Sequence, residues 1–127
     1  MVKRIVVVAV AALAIASPAR AELATEEKLF VELLVSANFI SAKCSGYDTD
    51  VDGTVKYADK IGVDGPRLAL ATIAATAAGG GKEYDRSALI PEVTRLTRAR
   101  LLSLMREEKN VCANASRMEH LGFVRRK

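Results

Sequence analysis

A chain of 127 residues, half of them hydrophobic but with only 3 Tyr, 3 Phe and no Trp, can hold one modest core. That composition excludes a large multidomain enzyme, a collagen-like repeat and a wholly disordered chain. The formal net charge of +4, from 19 Lys and Arg against 15 Asp and Glu, first suggests an acidic partner, but its distribution along the chain argues otherwise.

The first 21 residues have the three parts of a secretory signal in order. Lys3 and Arg4 form a basic start, Ile5 to Ala16 an apolar stretch, and Ala19-Arg20-Ala21 a small-x-small cleavage site. The apolar stretch falls short of the roughly twenty residues needed to cross a bilayer, and Pro18 interrupts helix before the cut. A cleaved signal at residues 1–21, a single mature domain at 22–127 and no stable membrane insertion after cleavage are expected. No cysteine stands at the cut to carry a lipid anchor. The short Ala/Val-rich form is of the bacterial kind, so the product is expected in the periplasm or outside the cell.

Removing Lys3, Arg4 and Arg20 leaves 16 cations against 15 anions. What remains is asymmetry: residues 22–64 hold nine acids and four bases, whereas residues 65–127 hold six acids and twelve bases. Such a split favours pairing within the molecule or between copies of it. Nucleic acid is not an expected partner, because no long basic run is interleaved with aromatics.

In an oxidising compartment the two cysteines read most simply as one disulfide, Cys44 to Cys112. It would close a loop of about 70 residues and contribute roughly 4 kcal/mol in the chain-entropy picture. The rival readings are a redox pair, which would favour Cys-x-x-Cys spacing, or a nucleophilic thiol, for which His120 is the sole histidine.

The mature chain reads as helices. Thr25 can cap the first, with Glu26 and Glu27 at the positive end of its dipole. From Leu29 to Ala42 the apolar residues Leu29, Phe30, Val31, Leu33, Leu34, Val35, Phe39 and Ile40 are too many for one narrow stripe, so this helix is expected at the centre of the core. Cys44-Ser45-Gly46 ends it. An Asp-rich loop follows from Asp48 to Gly53, then a short helical turn near Val55 to Ile61. Asp64 and Pro66 suit the opening of a helix of small residues from Arg67 to Ala78, which Gly79-Gly80-Gly81 stops. Pro91 suits the first turn of a long helix from Glu92 to about Asn110. On it Val93, Leu96, Leu101, Leu104 and Met105 share a face, opposite Arg95, Arg98 and Arg106. Arg100 falls inside the apolar arc, either as a snorkelling or ion-paired side chain or as a ligand-binding one. A short helix over Ser116 to Phe123 precedes a basic tail, Arg125-Arg126-Lys127, expected to be solvated and frayed. The fold class is therefore all-α, a small irregular bundle of about four helices tied by one disulfide.

One stretch carries possible chemistry: Asp48-Thr49-Asp50-Val51-Asp52-Gly53-Thr54-Val55-Lys56-Tyr57-Ala58-Asp59. It resembles an EF-hand calcium loop, and more closely the dockerin version, in which Asp closes the loop. The resemblance implies carboxylate ligands from Asp48, Asp50 and Asp52, a backbone carbonyl from Thr54, closure by Asp59, a sharp turn at Gly53 and calcium as the cofactor. Lys56 departs from the pattern by placing a cation where a water-mediating residue is common. The same residues also suit a polar turn that needs no metal.

No Ser/His/Asp set, histidine pair or phosphate-cradling loop is present, and Gly79 to Gly81 lacks the Lys-Ser/Thr that such a loop requires. No enzymatic activity is expected. The residues point to a small secreted or periplasmic helical protein that binds or builds through its surfaces, with an unidentified protein partner or self-association. The alternative is a calcium-stabilised adhesion or assembly module.

Overall fold

The computed structural model describes residues 22–127, so the signal expected at residues 1–21 lies outside the described residues. Helix α1 (Thr25–Lys43) begins one residue earlier than a Thr25 cap would allow. Its N-cap is Ala24, which has no capping oxygen. Glu27 compensates by turning back, its Oε1 accepting from the Ala24 backbone N–H at 2.8 Å. Apolar residues on most sides of α1 do place it at the centre of the core, with Phe30 and Val31 fully buried and Val35 and Ile40 nearly so. Leu29 departs from that expectation and is 45% exposed, because it faces an open cleft rather than a neighbouring helix.

The Asp-rich stretch expected as a loop is instead divided between two regular elements. Strand β1 (Tyr47–Thr49) is followed after one residue by helix α2 (Val51–Ile61). The helix starts four residues before Val55 because Asp50 caps it. The Asp50 carboxylate accepts from Gly53 N–H at 2.9 Å, and the Asp50 carbonyl accepts from Thr54 N–H at 3.0 Å. Helix α3 (Gly65–Gly79) opens as its sequence suggests, with Asp64 accepting from Arg67 N–H at 3.1 Å and Pro66 in the first turn. Its small residues let it lie close to its neighbours: a β-carbon on Gly65 would stand 2.8 Å from that of Ala58 on α2.

A 3₁₀ turn at Arg86–Ala88 leads into α4 (Pro91–Arg106), which packs on both α1 and α3. Val93 and Leu104 are buried and Leu96 and Leu101 partly so, but Met105, expected on the same face, is 60% exposed. The helix expected to reach Asn110 breaks at Glu107 and resumes as the single turn α5 (Glu108–Val111). This change of direction buries Val111 and brings Cys112 to Cys44. The expected disulfide is formed, with an S–S distance of 2.07 Å and Cα atoms 5.6 Å apart. It ties the end of α1 to the turn after α5. Four longer helices and one disulfide therefore make the bundle, with α5 and α6 (Ala115–Leu121) as short additions.

The basic tail is not frayed. Residues Val124–Arg126 form β2, antiparallel to β1, with Tyr47 opposite Arg126, Asp48 opposite Arg125 and Thr49 opposite Val124. The bonding continues on either side: Asp50 N–H donates to the Phe123 carbonyl at 3.0 Å, and Lys127 N–H to the Gly46 carbonyl at 2.9 Å. What holds the tail is Phe123, fully buried, whose ring lies 5.9 Å from that of Phe30 and 4.9 Å edge-on from that of Tyr57. A buried ring fixes the three residues after it next to β1, where their backbone groups find partners. Outside this clasp, Arg126 donates to Glu119 at 3.2 Å. That carboxylate, with Tyr47 beside it, holds the guanidinium above the usual arginine range.

Candidate functional site

The residues proposed for metal binding are spread along the clasp and α2. Asp48 sits in β1, its Oδ1 accepting from Thr49 N–H at 3.0 Å and from the Ser41 hydroxyl at 3.3 Å. Asp50 Oδ1 is engaged as the helix cap. Asp52 is exposed in the first turn of α2, and Thr54 lies within the helix, its hydroxyl donating to the Asp50 carbonyl at 2.7 Å. Asp59 is exposed in the last turn, about 13 Å along the axis from Asp50 at the helical rise per residue. A calcium loop wraps its first and twelfth positions around one ion, whereas a helix between them holds them apart. Among the described residues no group of three His, Cys, Asp or Glu side chains is placed to hold a metal ion. Gly53, the residue assigned to a sharp turn, has no positive φ; it is helical, and its lack of a side chain serves a close contact with Gly122.

Arg100 is half-buried, with Nε donating to the Ser36 hydroxyl at 3.0 Å, while Ser36 in turn donates to the Glu32 carbonyl at 2.9 Å. It lines a cleft of about 310 Å³ between α1 and α4–α6 that also contains Glu32, Glu107 and Arg117. Two carboxylates offset the two guanidinium groups there. The arrangement fits a snorkelling side chain anchored on a serine better than a dedicated anion site.

The most distinctive surface is an apolar groove of about 500 Å³ whose walls are α2 and α3. Four large aliphatic side chains line it in the open: Val51 is 71% exposed, Val55 46%, Leu70 59% and Ile73 58%. Val51 and Val55 are four apart on α2 and Leu70 and Ile73 three apart on α3, so each helix contributes a ridge. Leu34 and Ala69 lie between the ridges, with Phe30 and Phe123 beneath. Its polar lining comes from Asn38, Thr49, Asp50, Thr54 and Thr72. The Asp-rich segment thus contributes one wall of this groove. Sequence reading missed it because Val51 falls in the expected Asp-rich loop and α3 reads as a helix of small residues. The signal available was the spacing of Leu70 and Ile73 relative to the buried Leu68, Ala71 and Ala75.

No family model, curated protein or solved structure matches this chain. Its function must therefore be argued from these surfaces. Among the described residues no helix is long and apolar enough to cross a membrane, and both cysteines are consumed in the disulfide.

Proposed function

We propose that this is a small secreted or periplasmic helical binding protein that receives an apolar helix face in the groove between α2 and α3. The observation that carries the reading is the grouping of Val51, Val55, Leu70 and Ile73, four of the seven large exposed hydrophobic residues of the described chain, in one concavity. Soluble domains tolerate such residues scattered singly; gathered along a groove, they mark a place where apolar surface is covered by something else.

The walls select the form of the occupant. Both are helices, whose backbone groups are bonded internally, so an extended peptide laid between them would find almost no backbone partners. A helix brings its own hydrogen bonds and needs only an apolar stripe, and two parallel ridges present the gap that a third helix fills in a bundle. A small polar metabolite would require free convergent polar groups inside the cavity, whereas here Asp50 is engaged as the cap of α2 and the Thr54 and Thr72 hydroxyls donate to backbone carbonyls of their own helices. The start of α2, which forms one wall of the groove, carries Asp50 and Asp52, so an occupant with basic residues beside its apolar stripe is favoured there. The signal-like segment and the disulfide support the location.

The test uses a synthetic amphipathic Leu/Lys peptide and its scrambled isomer. The ordered peptide should gain helical circular dichroism on mixing with the protein, and Val55→Asp with Ile73→Asp should weaken binding about tenfold or more. Equal binding of the scrambled peptide, or undiminished binding by the double variant, overturns the reading.

A further inference from the structure

We infer that the helix received by the groove is α4 of a second copy of this chain, so that copies associate head to tail. The inference rests on the groove being a helix-binding site and adds the identity of its occupant.

Three observations meet here. Of the seven large exposed hydrophobic residues, two outside the groove sit together on α4: Leu102 at 54% and Met105 at 60% exposure, three residues apart and so on one face. Basic residues border that face. Arg98 lies four residues before Leu102 and Arg106 four after it, both exposed. Helix α4 is thus an apolar ridge set among cations, whereas the groove has carboxylates, Asp50 and Asp52, where α2 begins.

The second observation is that the charge asymmetry is not used up inside the molecule. Among the described residues, only Arg67 of the twelve bases in the second half pairs within 4 Å with acids of the first, namely Glu27 and Asp64. Arg95 pairs with Glu92 of its own helix, and Lys43 with Glu108 pairs in the opposite sense. Among the described residues Arg98 and Arg106 have no carboxylate within that distance. Carboxylates and guanidinium groups left without partners on one copy are available to pair with those of another.

Third, the two surfaces are on different elements, α4 for the ridge and α2–α3 for the groove. Seating one copy's ridge in another's groove leaves a vacant groove on the first and a vacant ridge on the second. The contact is heterologous: it closes into a ring or extends into a chain, according to the rotation between neighbours. Burial of the exposed aliphatic residues drives the contact, and pairing of Arg98 and Arg106 with acids such as Asp50 and Asp52 orients it.

The experiment is sedimentation velocity on the mature protein over a wide concentration range, at low and high salt. Wild type should associate with rising concentration, and less so at high salt. Ile73→Asp, which disables the groove, and Leu102→Asp, which disables the ridge, should each remain monomeric while keeping the wild-type circular dichroism spectrum. Both residues are exposed, and Val55→Asp and Met105→Asp provide second variants on each side. The deciding arm mixes the two variants. The intact ridge of I73D fits the intact groove of L102D, so the mixture should form a one-to-one dimer and stop there. A wild type that stays monomeric throughout, or a mixture that gives no dimer, overturns the proposal. If the Leu/Lys peptide still binds such a monomer, the groove remains a helix site for another partner; if it does not, both readings fall together.

Discussion

Gly53 and Gly122 are packed so closely that a β-carbon on Gly53 would stand 2.0 Å from the Gly122 carbonyl oxygen. Gly122 itself adopts a left-handed backbone, φ +92°, as α6 ends. The first turn of α2 and the end of α6 therefore touch backbone to backbone, beside the Thr49–Val124 end of the β1–β2 pairing.

Gly53→Ala should accordingly destabilise the protein, although alanine is the better helix former by roughly 0.5–1 kcal/mol. The obstruction is backbone, which cannot swing away, so a net loss of about 2 kcal/mol is expected. Thermal melting reads it as a fall of roughly 8–16 °C for a domain this small. A rise in melting temperature would show that the two turns can separate at no cost.

Phe123→Ala should cost about 3–5 kcal/mol, because the ring is fully buried between Phe30 and Tyr57. It should also release the clasp, so that the Asp50 and Lys127 amides, which donate to the Phe123 and Gly46 carbonyls, exchange hydrogen faster than in the wild type. Rapid exchange at both amides in the wild type would disprove the clasp.

Asp50→Ala removes the cap of α2 and should cost about 1 kcal/mol. The cost should be the same with and without millimolar calcium, since the helix keeps Asp50 and Asp59 apart. A calcium-dependent rise in the wild-type melting temperature that this variant loses would mean that residues 48–59 rearrange around an ion.

Reduction of Cys44–Cys112, which bridges a sequence separation of 68, should lower stability by roughly 2–5 kcal/mol. Melting with and without reductant measures it, and coincident curves would show that packing alone suffices.

Thr97→Val should be neutral or stabilising by about 1 kcal/mol. The Thr97 hydroxyl is buried and makes no hydrogen bond among the described residues, so an isosteric methyl removes an uncompensated polar group. Clear destabilisation would reveal a partner for that oxygen.

Local signals accounted for most of the helices and for the crosslink. The Asp64 cap with Pro66, Pro91 in a first turn and the dense apolar content of α1 act within a few residues of the structure they dictate, and two cysteines permit one intramolecular pairing. The β1–β2 clasp was not legible, because two three-residue strands lying on either side of 74 intervening residues have no periodicity to detect. Its anchor, Phe123, was visible only as the end of a short helix. The segment from Asp48 to Asp59 misled for a related reason: Asp and Gly at alternate positions suit a metal loop, a polar turn, and a capped helix start with a close glycine contact. In the fold the segment forms the capped helix start, with the backbone of Gly122 against Gly53. Leu29 and Met105 show that an apolar residue on a broad helical face is buried only if a neighbour lies over it.

Phe123 also sets the order in which the fold can be completed. A chain emerging with its N-terminus first exposes Phe30 and Tyr57 long before the ring that covers them appears, and β1 has no strand to pair with until Val124 to Arg126 arrive. Until then the nascent protein has an open apolar centre and an unpaired strand edge, the two features that chaperones and aggregates both seize. The fold is therefore complete only once the final residues are in place.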